Sequence, residues 1–208
     1  MWTPRDLDIV ETLTRRVRLL TDHQIQSIWW PERGSLAVVH RRLGKLQSSQ
    51  LLERTTINAQ PVNTRIQPLA CWTPGQTAPL AVAVSAAARD RWDCAAVPTR
   101  VYSASRFAAN LFGSSALHFP RPEQFDHDLL LGQVYVEYRT NRSDEAARWV
   151  GEDALPKAGY RIKDPDAFLH DDEGRVVRVI ESAGRYSPIQ IERFHNHCRE
   201  YSYSYELW

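Results

Sequence analysis

"PDAFLHDDEGRVVRVIESAG", residues 165–184, contains two apolar segments on either side of a tight turn. The turn, DDEG at residues 171–174, ends in a glycine, which tolerates the positive φ that tight turns require. The segment after it, residues 175–181, is rich in β-branched side chains and is typical of a β-strand. We therefore predict a hairpin whose first strand carries Asp166 and whose second strand ends at Glu181.

The segments around this hairpin predict an α/β domain over residues 122–208. Apolar spacing and turn residues give a helix at 125–138, strands at 147–152, 160–169 and 175–181, a helix at 187–198 and a strand at 203–208. This order of helix, three strands, helix and strand resembles the core of restriction-endonuclease-like folds. The predicted fold class is therefore α/β in this half and α+β over the whole chain.

Three carboxylates of this domain are candidate ligands for Mg²⁺, which prefers oxygen ligands converging from separate strands. Asp166 and Glu181 form the pair on the hairpin, and Glu152 ends the preceding strand. Metal-dependent nucleases with such a pair carry a lysine two residues after the glutamate, where it helps to position water or stabilise charge. This chain has Ala183 at that position. The sequence therefore predicts a domain that has lost its nuclease chemistry.

A Mg²⁺-dependent nuclease or nickase stays open as the alternative, and no cofactor is expected otherwise. The enzyme would use Asp166, Glu181 and Glu152, with a lysine supplied from the neighbouring strand by Lys163. Arg178 does not replace that lysine. It lies three residues before Glu181, so strand alternation puts it on the opposite face.

No firm metal site is predicted elsewhere. His195, His197 and Cys198 lie on one predicted helix, but helical residues two apart point in different directions and do not easily share an ion. We interpret these histidines as surface residues. His127, which stands between two aspartates, is interpreted as a hydrogen-bonding residue at a helix start. The sequence has no glycine-rich nucleotide-binding loop and no nucleophile motif.

Residues 1–75 are predicted to form a winged helix-turn-helix domain. Thr3, followed by a proline, and Thr21, followed by a capping-box glutamine, mark two helix starts. Ser35 caps a third helix over residues 35–47, in which leucine and valine recur at three-and-four spacing. That helix has one apolar face for a core and one polar face.

Strands at residues 51–56 and 64–72, joined by polar residues, are predicted to form the wing. In this fold the third helix enters the major groove and the wing approaches the DNA backbone. Arginine, lysine and serine side chains can meet phosphates or base edges. The predicted DNA-binding residues are Ser35, His40, Arg41, Arg42 and Lys45 on the third helix, with Arg54 and Arg65 in the wing.

Residues 76–121 are predicted to be a helical connector between the two domains. A break at Thr73-Pro74-Gly75 precedes it. Small residues favour a packing helix over residues 79–92, and a second helix is predicted over residues 102–112.

The charge distribution favours a polyanionic partner for the first half of the chain. Residues 1–60 carry nine Lys/Arg and six Asp/Glu, residues 61–119 carry five and two, and residues 120–208 carry twelve and seventeen. The net charges are +3, +3 and −5, so residues 1–119 are basic and residues 120–208 are acidic. Double-stranded DNA is the expected partner of this basic part of the chain.

Cysteine usage and hydropathy predict a cytoplasmic protein. The three cysteines show no CxxC pairing, which fits free thiols in a reducing compartment. No apolar run approaches the roughly 20 residues that span a bilayer. The sequence does not open on an apolar signal segment. No membrane contact is expected.

The chain resembles the replication-relaxation family of plasmids and integrative elements, whose members combine a winged helix with a domain related to PD-(D/E)xK nucleases. The matching stretches are LTDHQIQSIWWPERGSLAVVHRRLGKLQSSQLLER (20–54), FDHDLLLGQVYVEYR (125–139), PDAFL (165–169) and RVIESAGRYSPIQIERFHNHC (178–198). The resemblance implies DNA binding linked to plasmid replication or transfer, with replication or conjugation proteins as partners. It implies no established reaction.

Three classes of function follow from the sequence. A DNA-binding regulator needs the basic third helix, and a nuclease needs carboxylates that bind metal. A protein-interaction adaptor needs neither. The favoured hypothesis is the DNA-binding protein, in which the second domain serves homodimer formation or partner binding.

Overall fold

The computed structural model describes residues 1–32, 35–113, 119–154 and 165–208, and within them the chain is mixed α/β. The helices are α1 (Pro4–Arg15), α2 (Asp22–Trp29), α3 (Leu36–Ser48), α4 (Ala81–Asp90), α5 (Arg106–Leu111), α6 (Phe125–Asn141), α7 (Ser143–Ala147) and α8 (Pro188–Glu200). The strands are β1 (Leu20–Thr21), β2 (Leu52–Ala59), β3 (Ala70–Trp72), β4 (Val97–Ala104), β5 (Trp149–Gly151), β6 (Ala167–His170), β7 (Val176–Glu181) and β8 (Tyr205–Leu207).

The first sheet has the order β1-β4-β2 and is antiparallel. Its main ladder joins β2 to β4 over eight residue pairs, from Leu52 opposite Ala104 to Ala59 opposite Val97. Helices α1, α2 and α3 pack on it through a core that includes Ile9, Leu43 and Tyr102. The first three helices and this sheet therefore share one hydrophobic core.

The expected pairing of residues 51–56 with 64–72 is wrong. β2 pairs instead with β4, and only Ala70–Trp72 of the second segment is a strand, which lies beside β8 in the other sheet. The helix expected over 102–112 starts only at Arg106, where Ser105 caps it by accepting a hydrogen bond from the Ala108 amide. The preceding residues VPTRVYSA contain three β-branched residues and a tyrosine, which favour a strand.

These strand pairings do not follow the predicted division of the chain into residues 1–75, 76–121 and 122–208. β3 lies inside the predicted first domain, residues 1–75, but joins the second sheet. β4 lies inside the predicted connector, residues 76–121, but completes the first sheet. The chain between β2 and β4 of the first sheet thus contributes a strand, β3, to the second sheet.

The second sheet has the order β3-β8-β7-β6-β5, with β7 and β8 parallel and the other neighbours antiparallel. Helix α6 covers the face that carries Ile180 and Leu169. Helices α4 and α8 cover the opposite face, which carries Val179. Residues 122–208 have their elements in the predicted order, with the short helix α7 in addition. Residues 155–164, which hold most of one predicted strand, lie outside the described residues.

Helix α6 is the element shared by both sheets. Ten of its residues are buried, on all sides of the helix, as expected of a helix surrounded by protein. Near its start the amide nitrogen of Gln24, on α2, donates to the Leu129 carbonyl over 3.0 Å. Near its end the Tyr138 hydroxyl donates to Glu206 on β8 over 2.8 Å. The helix therefore connects the N-terminal helices to the second sheet.

The predicted helix starts at Thr3 and Thr21 are confirmed. Both threonines accept a hydrogen bond from the amide three residues later, in capping boxes closed by Asp6 and Gln24. Ser35 is at the start of α3, but its side chain forms no capping hydrogen bond.

In the portion of the chain that the structure describes, none of the helices has both the length and the apolar character needed to cross a bilayer.

We expect Gly132→Ala to destabilise the protein, because α6 packs against the backbone before β1 at this point. An added Cβ would lie 2.8 Å from the Leu19 carbonyl oxygen and 3.1 Å from a Leu20 methyl group. Such overpacking costs about 1–3 kcal/mol. Gly44→Ala on α3 is the control, since no atom lies within 4 Å of its added Cβ. There alanine should stabilise the helix, by about 1 kcal/mol at most. Urea denaturation measures both changes, and equal effects would contradict this packing.

Candidate functional site

Helix α3 has one face in the core and one in solvent. Val39, Leu43 and Leu46 are buried. Ser35, Arg41 and Lys45 are exposed on the other side. Within the described residues no ion pair engages Arg41 or Lys45. The solvent face of α3 therefore carries two cations that are available to an external anion.

Arg42, predicted to contact DNA, is bound to Asp6 on α1. Its Nε donates to Asp6 Oδ1 over 2.6 Å, and a second guanidinium nitrogen bonds Asp6 Oδ2. The Asp6 side chain is fully buried. Burial opposes ionisation of this carboxyl, but its hydrogen bonds with Arg42 and Thr3 outweigh burial and lower the pKa of Asp6 to about 2. Arg42 thus attaches α3 to the start of α1 and is not a free DNA contact.

His40, also predicted to contact DNA, is bound to an aspartate on α2. Its Nε2 lies 2.8 Å from Asp22 Oδ2. Arg100 of β4 approaches the same carboxylate, with its Nη1 3.7 Å from Asp22 Oδ2. These contacts hold the side of α3 that faces α2. His40 therefore does not belong to the solvent face of α3.

The two predicted wing arginines do not lie on one hairpin. Arg54 is exposed on β2. Arg65 is exposed in the segment between β2 and β3, which leads away to the second sheet. Arg54 and Arg65 therefore do not form a shared DNA-facing wing.

Asp166 and Glu181 stand at the same end of neighbouring strands, although Asp166 lies just before β6 rather than on the strand as expected. The register places Ala167 opposite Ile180, so Asp166 directly precedes β6 and Glu181 ends β7 beside it. Both residues are buried, with 3% and 1% exposure. Asp166 Oδ2 accepts a hydrogen bond from the Ser182 amide over 2.6 Å, whereas the Tyr186 hydroxyl donates to Glu181.

His127 bridges two of the buried carboxylates. On the first turn of α6, its Nδ1 lies 2.9 Å from Asp128 Oδ1 and its Nε2 lies 3.1 Å from Asp166 Oδ2. Burial opposes the charge, but the hydrogen bonds to Asp128 and Asp166 raise the pKa of His127 to about 10. The histidine is therefore a cation at neutral pH, and both of its ring nitrogens donate. The sequence placed it at a helix start but did not reveal its bridge to the hairpin.

Arg18 neutralises the remaining carboxylates of this cluster. Its guanidinium donates to both oxygens of Asp153 over 2.6 and 2.7 Å, and one nitrogen lies 3.1 Å from Glu152. A further nitrogen lies 3.7 Å from Asp128 Oδ2. No sequence signal singled out Arg18, because it is one of three arginines in RRVR at residues 15–18.

A small cavity lies between these groups. Its volume is about 20 Å³, enough for one water molecule, and Asp128, Glu152, Asp166 and Arg18 are among its lining residues. Asp128 Oδ2 is buried and has no hydrogen-bond partner among the described residues. The cavity is therefore polar and very small.

Two of the three candidate magnesium ligands lie against side-chain cations. His127 and Arg18 already place cationic groups against the carboxylates that would serve as ligands. Ala183, in the position of the nuclease lysine, is fully buried in the apolar cluster under α4 and α8. Among the described residues no set of three or more ligand side chains is arranged to hold a metal. Lys163, the predicted substitute lysine, lies outside the described residues.

The histidines of α8 do not share a site. His195 is buried rather than on the surface, with its Nδ1 3.0 Å from the Tyr205 hydroxyl and its ring edge-on to Trp72. His197 is exposed beside Tyr201, and Cys198 is a buried free thiol. The expectation of surface histidines is thus wrong for His195, because residues 195 and 198 belong to the apolar stripe of α8.

No protein-family model, curated protein or solved structure matches this chain. The resemblance to the replication-relaxation family stays a prediction from the sequence.

We expect the bridge formed by His127 to stabilise the protein in a pH-dependent way. The pKa of this histidine is raised from 6.5 to about 10, so its contribution is fully present below pH 6.5 and is lost as the pH rises to about 10. The advantage of the wild type over His127→Gln should shrink by at most about 1.4 kcal/mol per pH unit in that window. Urea denaturation from pH 5.5 to 10 measures it.

His197→Gln, at an exposed position on α8, is the matched control and should show no such trend. A difference between wild type and His127→Gln that stays constant from pH 6 to 10 would show that the histidine is not a buried cation.

Proposed function

We propose that the protein binds duplex DNA through the solvent face of α3. The observation that carries the proposal is that some basic side chains of this helix are bound to aspartates of the protein, whereas others face solvent. Arg42 and His40 are bound to Asp6 and Asp22, whereas Arg41 and Lys45 face solvent without an acidic partner among the described residues. A helix fixed by internal ion pairs and carrying free cations on its outer face suits the phosphates of a DNA groove.

The arrangement around α3 supports this proposal. Three helices packed on an antiparallel sheet of order β1-β4-β2 have the element order of a winged helix-turn-helix, in which α3 is the recognition helix. Here the connection between β2 and β4 is long and joins the second sheet through β3 and α4, instead of forming a short wing. Ser35, Arg41 and Lys45 are the proposed primary contacts, and Arg54 on β2 lies on the same domain.

The second sheet, with α6 on one face and α4 and α8 on the other, is proposed to be a nuclease-like scaffold without cleavage activity. It would serve dimer formation or binding of a replication or conjugation protein. From the resemblance stated above, the proposed role is in replication, transfer or regulation of a plasmid or mobile element.

A second candidate function is Mg²⁺-dependent cleavage of DNA. Asp166 and Glu181 at the same end of adjacent strands are the observation in its favour. The cationic groups of His127 and Arg18 beside the carboxylates, and the buried Ala183, are against it. We therefore favour binding without cleavage.

We expect the double variant Arg41→Ala/Lys45→Ala to lose most of its DNA affinity and to bind with a weaker salt dependence. Each lost phosphate contact lowers the slope of log affinity against log salt by about 0.9, so the slope should fall by about 1.8. Fluorescence anisotropy with a labelled plasmid fragment at several salt concentrations measures both quantities.

Arg89→Ala/Arg193→Ala is the matched control, because it removes the same charge from exposed positions on α4 and α8. Arg42→Ala is a poor test, since it leaves the buried Asp6 carboxylate without its cation and is expected to destabilise the protein as well. If Arg41→Ala/Lys45→Ala binds like the wild type, α3 is not the DNA-binding helix.

The same binding reactions with Mg²⁺ or Mn²⁺ and supercoiled plasmid test the second candidate. We expect no nicking above background at protein excess. Nicking that is lost in both Asp166→Ala and Glu181→Ala, but kept in the exposed control Glu173→Ala, would establish the nuclease. Lys163 would then be the first lysine to substitute.

A further inference from the structure

Two open depressions flank the start of α1, and the solvent face of α3 borders both. One, of about 640 Å³, is lined by Trp2 together with Arg41, Gly44 and Lys45. The other, of about 380 Å³, is lined by Arg5 and Trp30, with Arg41 and Lys45 again at its edge. Each volume is in the range of small-ligand sites, so each is large enough for a nucleotide.

Both depressions contain an aromatic surface. The Trp2 side chain is 44% exposed. In the second depression the Arg5 guanidinium carbon lies 4.7 Å from the centre of the Trp30 ring, in a cation–π contact. Indole rings and stacked guanidinium planes are the groups on which proteins stack unpaired bases, and such stacking tolerates any base.

The charge of the depressions is positive. Arg41 and Lys45 are uncommitted among the described residues, whereas Arg42, which also lines both depressions, is neutralised by Asp6. No aspartate or glutamate of the described chain is among the residues that line either depression. A phosphate next to a stacked base therefore meets cations and no opposing carboxylate.

We propose that this surface binds an unpaired DNA nucleotide adjacent to the duplex held by α3. The base stacks on Trp2, and the phosphate is held by Arg41 and Lys45. The inference rests on the proposed function, because Arg41 and Lys45 are also the proposed contacts to the duplex. It adds a preference for duplexes that end in, or contain, a single-stranded segment.

Three labelled DNA probes of one sequence test this preference with the full-length chain: a blunt duplex, the duplex with a short single-stranded overhang, and the single strand alone. Stacking of one base should make the overhang probe bind about 5- to 150-fold more tightly than the blunt duplex. A 2-aminopurine in the overhang should be quenched on binding, because stacking on an indole quenches its emission.

Trp2→Ala should bring the affinity ratio of overhang to blunt probe close to one and remove the quenching. Trp2→Phe should keep most of the ratio, since a phenyl ring still stacks. Tyr201→Ala, which removes an exposed aromatic ring after α8, is the control and should keep all of it.

The outcomes separate the two proposals. Duplex binding that depends on Arg41 and Lys45 but shows no overhang preference, or a preference that Trp2→Ala retains, overturns this inference and leaves the proposed function intact. Single-strand binding that depends on Trp2 without duplex binding overturns the duplex function, and with it a nucleotide site adjacent to a duplex. Failure to bind any probe overturns both.

Discussion

The burial of α6 between the two sheets is the constraint on which the rest of the structure depends. One end of the helix accepts a hydrogen bond from Gln24, and the other donates to Glu206. Gly132 allows the helix to approach the Leu19 carbonyl, where any Cβ would be too close. Because His127 and Asp128 form the first turn of the same helix, the carboxylate cluster is positioned by this packing as well. The packing of α6 thus links the N-terminal helices to the second sheet, alongside direct contacts such as that of Arg18 with Asp153.

Ion pairs inside the protein determine which basic side chains remain available to bind an external anion. A buried charge is costly unless a partner compensates it. Asp6 is compensated by Arg42, Asp166 and Asp128 by His127, and Asp153 by Arg18. These cations are components of the structure. The proposed binding function therefore uses the exposed cations of α3, and two of the three carboxylates that resemble a metal site, Asp166 and Glu152, lie against side-chain cations.

The sequence predicts local features well and long-range ones poorly. The helix starts at Thr3, Thr21 and Ser187, and strand β7, follow from signals within a few residues. The pairing of β2 with β4, instead of the nearer segment 64–72, depends on which strand fills the core with Val101 and Tyr102. Similarly, the apolar face of α3 was predictable, but the commitment of Arg42 to Asp6 was not. It requires knowing that α1 and α3 are in contact, which no spacing pattern along one helix shows.

Native-state hydrogen exchange of the two sheets tests most directly whether α6 couples them into one unit. The amides of β2 and β4 report on the first sheet, and those of β6 and β7 on the second. If α6 is the shared element, the slowest amides of both sheets should exchange with the same opening free energy and the same dependence on denaturant. A first sheet that opens at a clearly lower free energy, while β6 and β7 stay protected, would contradict this account.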